Sequence, residues 1–189
     1  MIKLIVALGN PGVEYELTRH NIGWLAVDGL SFFDSLIWKS KFKGEYSDRN
    51  MDGEKRYFLK PQTYMNLSGE SAQALMTFFK IKPSEILVVH DELDLPYGTV
   101  MFKQGGGLAG HNGLKSLAKC LGTQDFNRLR LGIGRPTRGD VAGYVLSKFS
   151  QDEFDFLDPY LKESAVAIEL ALEKGFSKAA QQYSKKKII

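Results

Sequence analysis

Glu85-Ile86-Leu87-Val88-Val89 runs without a break into His90-Asp91-Glu92-Leu93-Asp94. An apolar strand that ends in titratable residues fits an open α/β sheet, which places its site beyond the carboxyl ends of its strands. Upstream, Lys3–Leu8 is a second buried strand, rich in Ile, Leu and Val and closed by the turn Gly9-Asn10-Pro11-Gly12. Between the two, apolar residues at helical spacing predict helices over about 21–35 (Ile22, Leu25, Ala26, Leu30, Phe33) and 67–80 (Ala72, Leu75, Met76, Phe79). Residues 42–49 and 55–60 read as a hairpin, with Asp52-Gly53 as its turn signal. Downstream, strands over 98–103 and 128–134 flank a helix that opens at His111-Asn112 and runs to about Leu121. Helices over about 151–173 and 176–184 follow, the last ending in Lys185-Lys186-Lys187. Strands alternating with helices predict one α/β domain over 1–189, with a mixed, twisted β-sheet sandwiched between α-helices.

Composition narrows the class. Hydrophobic residues make up 43% of the 189 and charged residues 25%, which excludes a disordered or fibrous chain. Cys120 is the only cysteine, so no internal disulfide forms, and a lone thiol points to a reducing compartment. There is no run of about 18 apolar residues, and the opening Met1–Leu8 is too short for a signal-peptide core. The expected location is the cytoplasm, with no membrane partner. The net charge of +3 is unevenly spread. Residues 103–138 carry seven basic groups against Asp125 alone, a net of +6, whereas residues 151–174 carry a net of −5. A basic stretch on a nearly neutral protein suggests an anionic ligand beside it.

The motifs exclude several chemistries. Ala7-Leu8-Gly9-Asn10-Pro11-Gly12 imitates a dinucleotide fingerprint, but Pro11 blocks a helix start and no acid follows at the required distance. Gly105-Gly106-Gly107-Leu108-Ala109-Gly110 leads into a helix N-terminus and suits an anion, yet it is not a Walker motif. A metal set of His90, Asp91, Asp94 and His111 is disfavoured, because neighbours on an extended segment point to opposite faces. No Gly-x-Ser-x-Gly elbow supplies a nucleophile, and Cys120 reads as a small buried residue. The three histidines, His20, His90 and His111, all sit beside polar residues at element boundaries. A histidine base, a carboxylate beside it and several asparagines suit attack of water on an acyl group without a covalent intermediate.

With these residues assembled, the sequence strongly resembles bacterial peptidyl-tRNA hydrolase. The resemblance runs nearly end to end through five motifs in family order: Leu8-Gly9-Asn10-Pro11-Gly12-Val13-Glu14-Tyr15, Thr18-Arg19-His20-Asn21-Ile22-Gly23, Tyr64-Met65-Asn66-Leu67-Ser68-Gly69, His90-Asp91-Glu92-Leu93-Asp94-Leu95-Pro96, and Gly105–Gly107 with Gly110-His111-Asn112-Gly113-Leu114. It implies hydrolysis of the ester between a peptide and the terminal ribose of tRNA, recycling tRNA from prematurely released chains, with no metal and no organic cofactor. By motif, His20 is the implied general base, Asp91 its partner and Asn10 the third catalytic residue. Tyr15, Met65, Asn66, His111 and Asn112 are implied to bind substrate, and Lys103 and Arg130 to hold a tRNA phosphate. The implied partner is peptidyl-tRNA, through its acceptor end and the C-terminal part of the peptide, and the implied state is a monomer with no obligate protein partner. Tyr64, Leu108 and Ala109 depart from the residues common in the family and bear on cleft shape and loop mobility. Two alternatives from other classes are a non-catalytic nucleic-acid-binding module and a metal-dependent phosphoesterase.

Overall fold

The structure is a computed structural model and describes residues 1–189. Its strands are β1 (Leu4–Ala7), β2 (Lys39–Lys41), β3 (Gly44–Met51), β4 (Glu54–Pro61), β5 (Ile86–Glu92), β6 (Thr99–Gln104), β7 (Asn127–Gly132) and β8 (Lys186–Lys187). Its helices are α1 (Ile22–Asp28), α2 (Ser68–Phe79), α3 (Asn112–Leu121), α4 (Val141–Val145), α5 (Gln151–Phe154), α6 (Leu157–Lys174) and α7 (Phe176–Gln182). The strands form one mixed sheet in the order β2-β3-β4-β1-β5-β7-β6-β8, parallel from β4 through β7 and antiparallel at both flanks. The expected α/β architecture is present.

Period-two alternation explains why the central strands are apolar throughout. Leu4, Val6, Ile86 and Val88 pack with α2 and α3, through Leu75, Met76, Leu114 and Leu117. Ile5, Ala7, Leu87 and Val89 pack on the opposite face with α1 and α6, through Ile22, Ala26, Ile168 and Leu172. A strand covered on both faces has no side left for polar residues. At the hairpin, Asp52 and Gly53 both take left-handed φ values, 53° and 81°, as a two-residue turn requires.

Several boundaries differ from those the sequence predicts, each for a physical reason. Strand β5 does not stop at Val89 but carries His90, Asp91 and Glu92 in register with Arg130, Leu131 and Gly132. The first helix ends at Asp28, with Gly29 as its cap, rather than near residue 35. The predicted 151–173 helix is two helices, because Pro159 has no N–H to donate and fits only in the first turn of a helix that restarts at Leu157. Strand β2 escapes the sequence because its turn uses Phe42 and Lys43 at positive φ, without glycine. The lysine tail is not a free end: Lys186 and Lys187 pair with Val100 and Thr99, and Lys186 Nζ lies 2.8 Å from Glu163 Oε1.

Helix α3 must lie against α2 to bring its N-terminus to the end of β5. Gly69 permits this approach: a Cβ there would stand 2.2 Å from the Ser116 carbonyl oxygen, and Gly69 N–H donates to Ser116 Oγ at 2.9 Å. Gly69→Ala is expected to lower the unfolding free energy by about 1–3 kcal/mol, the usual cost of overpacking, as read by denaturant titration. An unchanged midpoint would show that the helices do not meet here.

Candidate active site

Three segments converge where β1, β5 and β7 end. The turn Arg19–Asn21 precedes α1 and presents His20; β5 presents Asp91; and His111 is the N-cap of α3. Gly23 brings the first of these close, since a Cβ there would lie 2.5 Å from the Val89 carbonyl. Asp91, 3% exposed, accepts from His20 Nδ1 through Oδ2 at 2.8 Å and from His111 Nε2 through Oδ1 at 2.7 Å.

The hydrogen bonds settle both tautomers. His111 Nδ1 accepts from the N–H groups of Gly113 and Leu114, at 3.1 and 3.3 Å, so its proton is on Nε2 and points at Asp91. His20 donates through Nδ1, so Nε2 carries the lone pair. His90, buried and next along β5, donates from Nδ1 to the Asp91 backbone carbonyl at 2.8 Å.

Charge follows from the same contacts. Burial opposes protonation of His20, but the charge of Asp91 and the hydrogen bond to it outweigh burial and raise the imidazole above its usual 6.5. Burial also opposes ionisation of Asp91, and the charges and N–H donors of His20 and His111 reverse this, holding the carboxyl far below the ordinary carboxylate range. His90 is driven well below 6.5, by burial first and by His111 second, and stays neutral.

A second network surrounds Asn10. Its Oδ1 accepts from Met65 N–H at 2.7 Å, which turns the Nδ2 hydrogens away from that bond and leaves them without a protein partner. Asn21 braces it from both sides: Oδ1 accepts from Asn10 N–H and Nδ2 donates to the Asn10 carbonyl, each at 2.9 Å. Met65 leans toward α3, where a Cβ on Gly113 would meet its Sδ at 2.6 Å and His111 Cε1 at 3.1 Å. Asn21 was not singled out from the sequence, although it stands beside His20 in a quoted motif. Arg19 was likewise missed: it is buried, lies over the Tyr144 ring, donates to the Lys148 carbonyl at 2.8 Å and to Glu153 Oε2 at 2.6 Å, and so ties the 144–148 segment to the turn that carries His20.

The cleft over these residues measures about 350 Å³. His20, Asp91 and His111 form its polar side, and Leu93, Leu108, Val141 and Val145 its apolar side. Asn112 lies exposed at its edge, whereas Tyr15 and Asn66 make no side-chain bond to the three central residues. Lys103 and Arg130 stand apart on β6 and β7, and Arg130 Nε donates to Glu92 Oε2 at 2.8 Å. The residues with metal-ligand spacing are His20, Asp91 and His111, whose candidate donor atoms lie within 4.8 Å of one another. The set disfavoured from the sequence, His90, Asp91, Asp94 and His111, does not come together: Asp94 pairs with Arg135 at 2.7 Å and His90 bonds the Asp91 backbone carbonyl. An ion at His20, Asp91 and His111 has to displace the two N–H protons that now point at Asp91.

An imidazole with a bare nitrogen, a buried carboxylate behind it and a carboxamide at the cleft edge are groups of the kind hydrolases use for acid–base chemistry. A profile of the peptidyl-tRNA hydrolase family matches residues 4–189. The peptidyl-tRNA hydrolase of Geotalea daltonii is 47% identical over 189 residues, covering 100% of this chain and 99% of that one. That of Desulfitobacterium hafniense is 46% identical over 185 residues, covering 97% and 100%. The crystal structure of peptidyl-tRNA hydrolase from Acinetobacter baumannii superposes with a TM-score of 0.91 at 37% identity, covering 100% of this chain and 97% of that one. The chain belongs to the peptidyl-tRNA hydrolase family.

A base works only when neutral. With the His20 imidazole raised above 6.5, a His20 base would make kcat/KM rise with pH through a midpoint above 6.5, and a proton NMR titration of the His20 ring is expected to give the same midpoint. Asp91→Asn removes the raising charge and leaves burial, so the ring midpoint is expected to fall below 6.5. A wild-type midpoint at or below 6.5 would contradict the role given to Asp91.

Proposed function

We propose that the protein hydrolyses the ester joining a peptide to the terminal ribose of tRNA in the cytoplasm, as a monomer, and so recycles tRNA from prematurely released chains. One observation carries the reading: in a chain of this family, His20 donates Nδ1–H to buried Asp91 and keeps Nε2 bare beside the cleft.

His20 Nε2 takes a proton from water as the oxygen attacks the acyl carbon. The carbonyl oxygen gains the negative charge, and the Nδ2 hydrogens of Asn10, held by the bond from Met65 N–H to Oδ1, are donors suited to it. Collapse of this intermediate breaks the bond to the ribose oxygen, which leaves with the proton held by His20. Products are a peptide carboxylic acid, which gives its proton to solvent and becomes the carboxylate, and tRNA with a free ribose hydroxyl, so atoms balance with water as the only co-substrate. Asn66 and Asn112, exposed near Met65 and the α3 N-terminus, suit peptide backbone groups and so tolerate any side chain. Tyr15 completes the peptide side. Lys103 and Arg130, inside the basic stretch, suit a tRNA phosphate, whose capture is independent of base sequence. No step calls for a metal or organic cofactor.

His20→Ala is expected to lower turnover of an N-blocked aminoacyl-tRNA by roughly 10²–10⁴-fold with tRNA affinity retained. A loss under about tenfold would mean another base. Wild-type turnover is expected to persist in chelator, whereas a metal-dependent phosphoesterase would lose it; tight tRNA binding without cleavage would instead indicate a binding module. Lys103→Ala and Arg130→Ala are each expected to raise KM and to reduce the salt slope of binding by about one. An unchanged slope in both would remove the phosphate role.

A further inference from the structure

We propose that Arg128 is a positioning residue that couples phosphate capture at Lys103 and Arg130 to the glycine loop leading to His111. The inference rests on the phosphate role given above to those two residues.

Strand register sets the geometry. Arg128 lies directly across from Lys103, and Arg130, two residues on, shares its face. Three cations therefore crowd one patch of sheet, and of the three only Arg130 is bonded to Glu92, whose other carboxylate oxygen accepts from Asp94 N–H. Unlike its neighbours, Arg128 is almost fully buried, at 1% exposure. Its guanidinium faces the loop rather than solvent: Nη1 donates to the Gly107 carbonyl at 3.2 Å and Nη2 to the Gly105 carbonyl. Gly106, between those two carbonyls, has φ of 82°, and a Cβ there would stand 2.8 Å from Lys103 Cε and 3.1 Å from its Nζ. The loop is thus clasped by Arg128 on its carbonyls and touched by Lys103 at its middle.

The far end of this loop is the N-cap of α3. His111 N–H donates to the Leu108 carbonyl at 3.0 Å, and His111 Nε2 donates to Asp91. A continuous chain of bonds therefore runs from the cationic patch through Gly105–Gly107 and Leu108 to the carboxylate behind His20. Burial, and then the charge of Arg130, disfavour the charged form of Arg128. An anion seated at Lys103 and Arg130 offsets that repulsion and strengthens both carbonyl bonds. The phosphate then acts on the reaction step as well as on binding, because it fixes the loop that orients His111.

The test uses one N-blocked aminoacyl-tRNA with its 5′-terminal phosphate and after removal of that phosphate by phosphatase. For wild type, removal is expected to raise KM and to lower kcat roughly 3- to 30-fold, the size of coupling a packed network carries. In Arg128→Gln, kcat on the phosphorylated substrate is expected to fall to the dephosphorylated level and the kcat difference to vanish, while the KM difference stays. A kcat difference that survives in Arg128→Gln overturns the coupling. A wild-type effect on KM alone also overturns it and leaves the phosphate role standing, whereas no effect on either constant removes both. A measurement on the wild-type protein covers the case in which Arg128→Gln fails to fold. Amide exchange of residues 105–111 is expected to slow with a saturating acceptor-stem RNA bearing a 5′-phosphate more than with the 5′-hydroxyl RNA. Equal exchange with the two RNAs overturns the proposal.

Discussion

Asp91 is a buried carboxylate with one histidine on each oxygen. Removing a charge from water costs several kcal/mol unless it is paired and hydrogen-bonded, so the fold around it has little freedom. Strand β5 must run on past its apolar core to carry Asp91 to the sheet end; the turn before α1 must close on one side, and the N-terminus of α3 on the other. The small residues that let this happen, Gly23 under β5 and Gly69 under α3, are places where a methyl group would strike backbone.

The two histidines are not equivalent. His111 spends its second nitrogen on the helix N-terminus and is held in one tautomer, so it acts as a fixed donor to Asp91. His20 has no bond on its second nitrogen, and the charge it faces across the Nδ1–H bond makes that nitrogen more basic. One carboxylate therefore serves as an anchor toward α3 and as a tuning charge toward the cleft. Asn21 braces the Asn10 backbone and Met65 N–H holds its side-chain oxygen, so the Asn10 amide is fixed in orientation before any substrate arrives.

Much of this was legible in the sequence where local chemistry dictated it. The β5 run, the Asp52-Gly53 turn and the His111 cap each follow from a few adjacent residues, and His20 and Asp91, candidates from the sequence, are hydrogen-bonded to each other in the structure. Features set by distant contacts did not show. Nothing in Lys185–Lys187 tells that Lys186 and Lys187 complete an edge strand against β6, and α4 is five residues long with no strong period. The bond from His111 to Asp91 spans 20 positions across a glycine loop, so nothing in the sequence marked His111 as a partner of the carboxylate. Arg128 read as one more cation in a basic stretch, since only the register against Lys103 reveals which face it occupies.

The shared carboxylate is tested most directly by nitrogen NMR of the histidine rings in ¹⁵N-labelled protein, at a pH above the His20 titration. The expected spectra show His20 protonated on Nδ1 with Nε2 bare, and His111 protonated on Nε2 with Nδ1 accepting. His20 protonated on Nε2, or His111 on Nδ1, would contradict the account, because neither ring would then hold Asp91 in the way the structure requires.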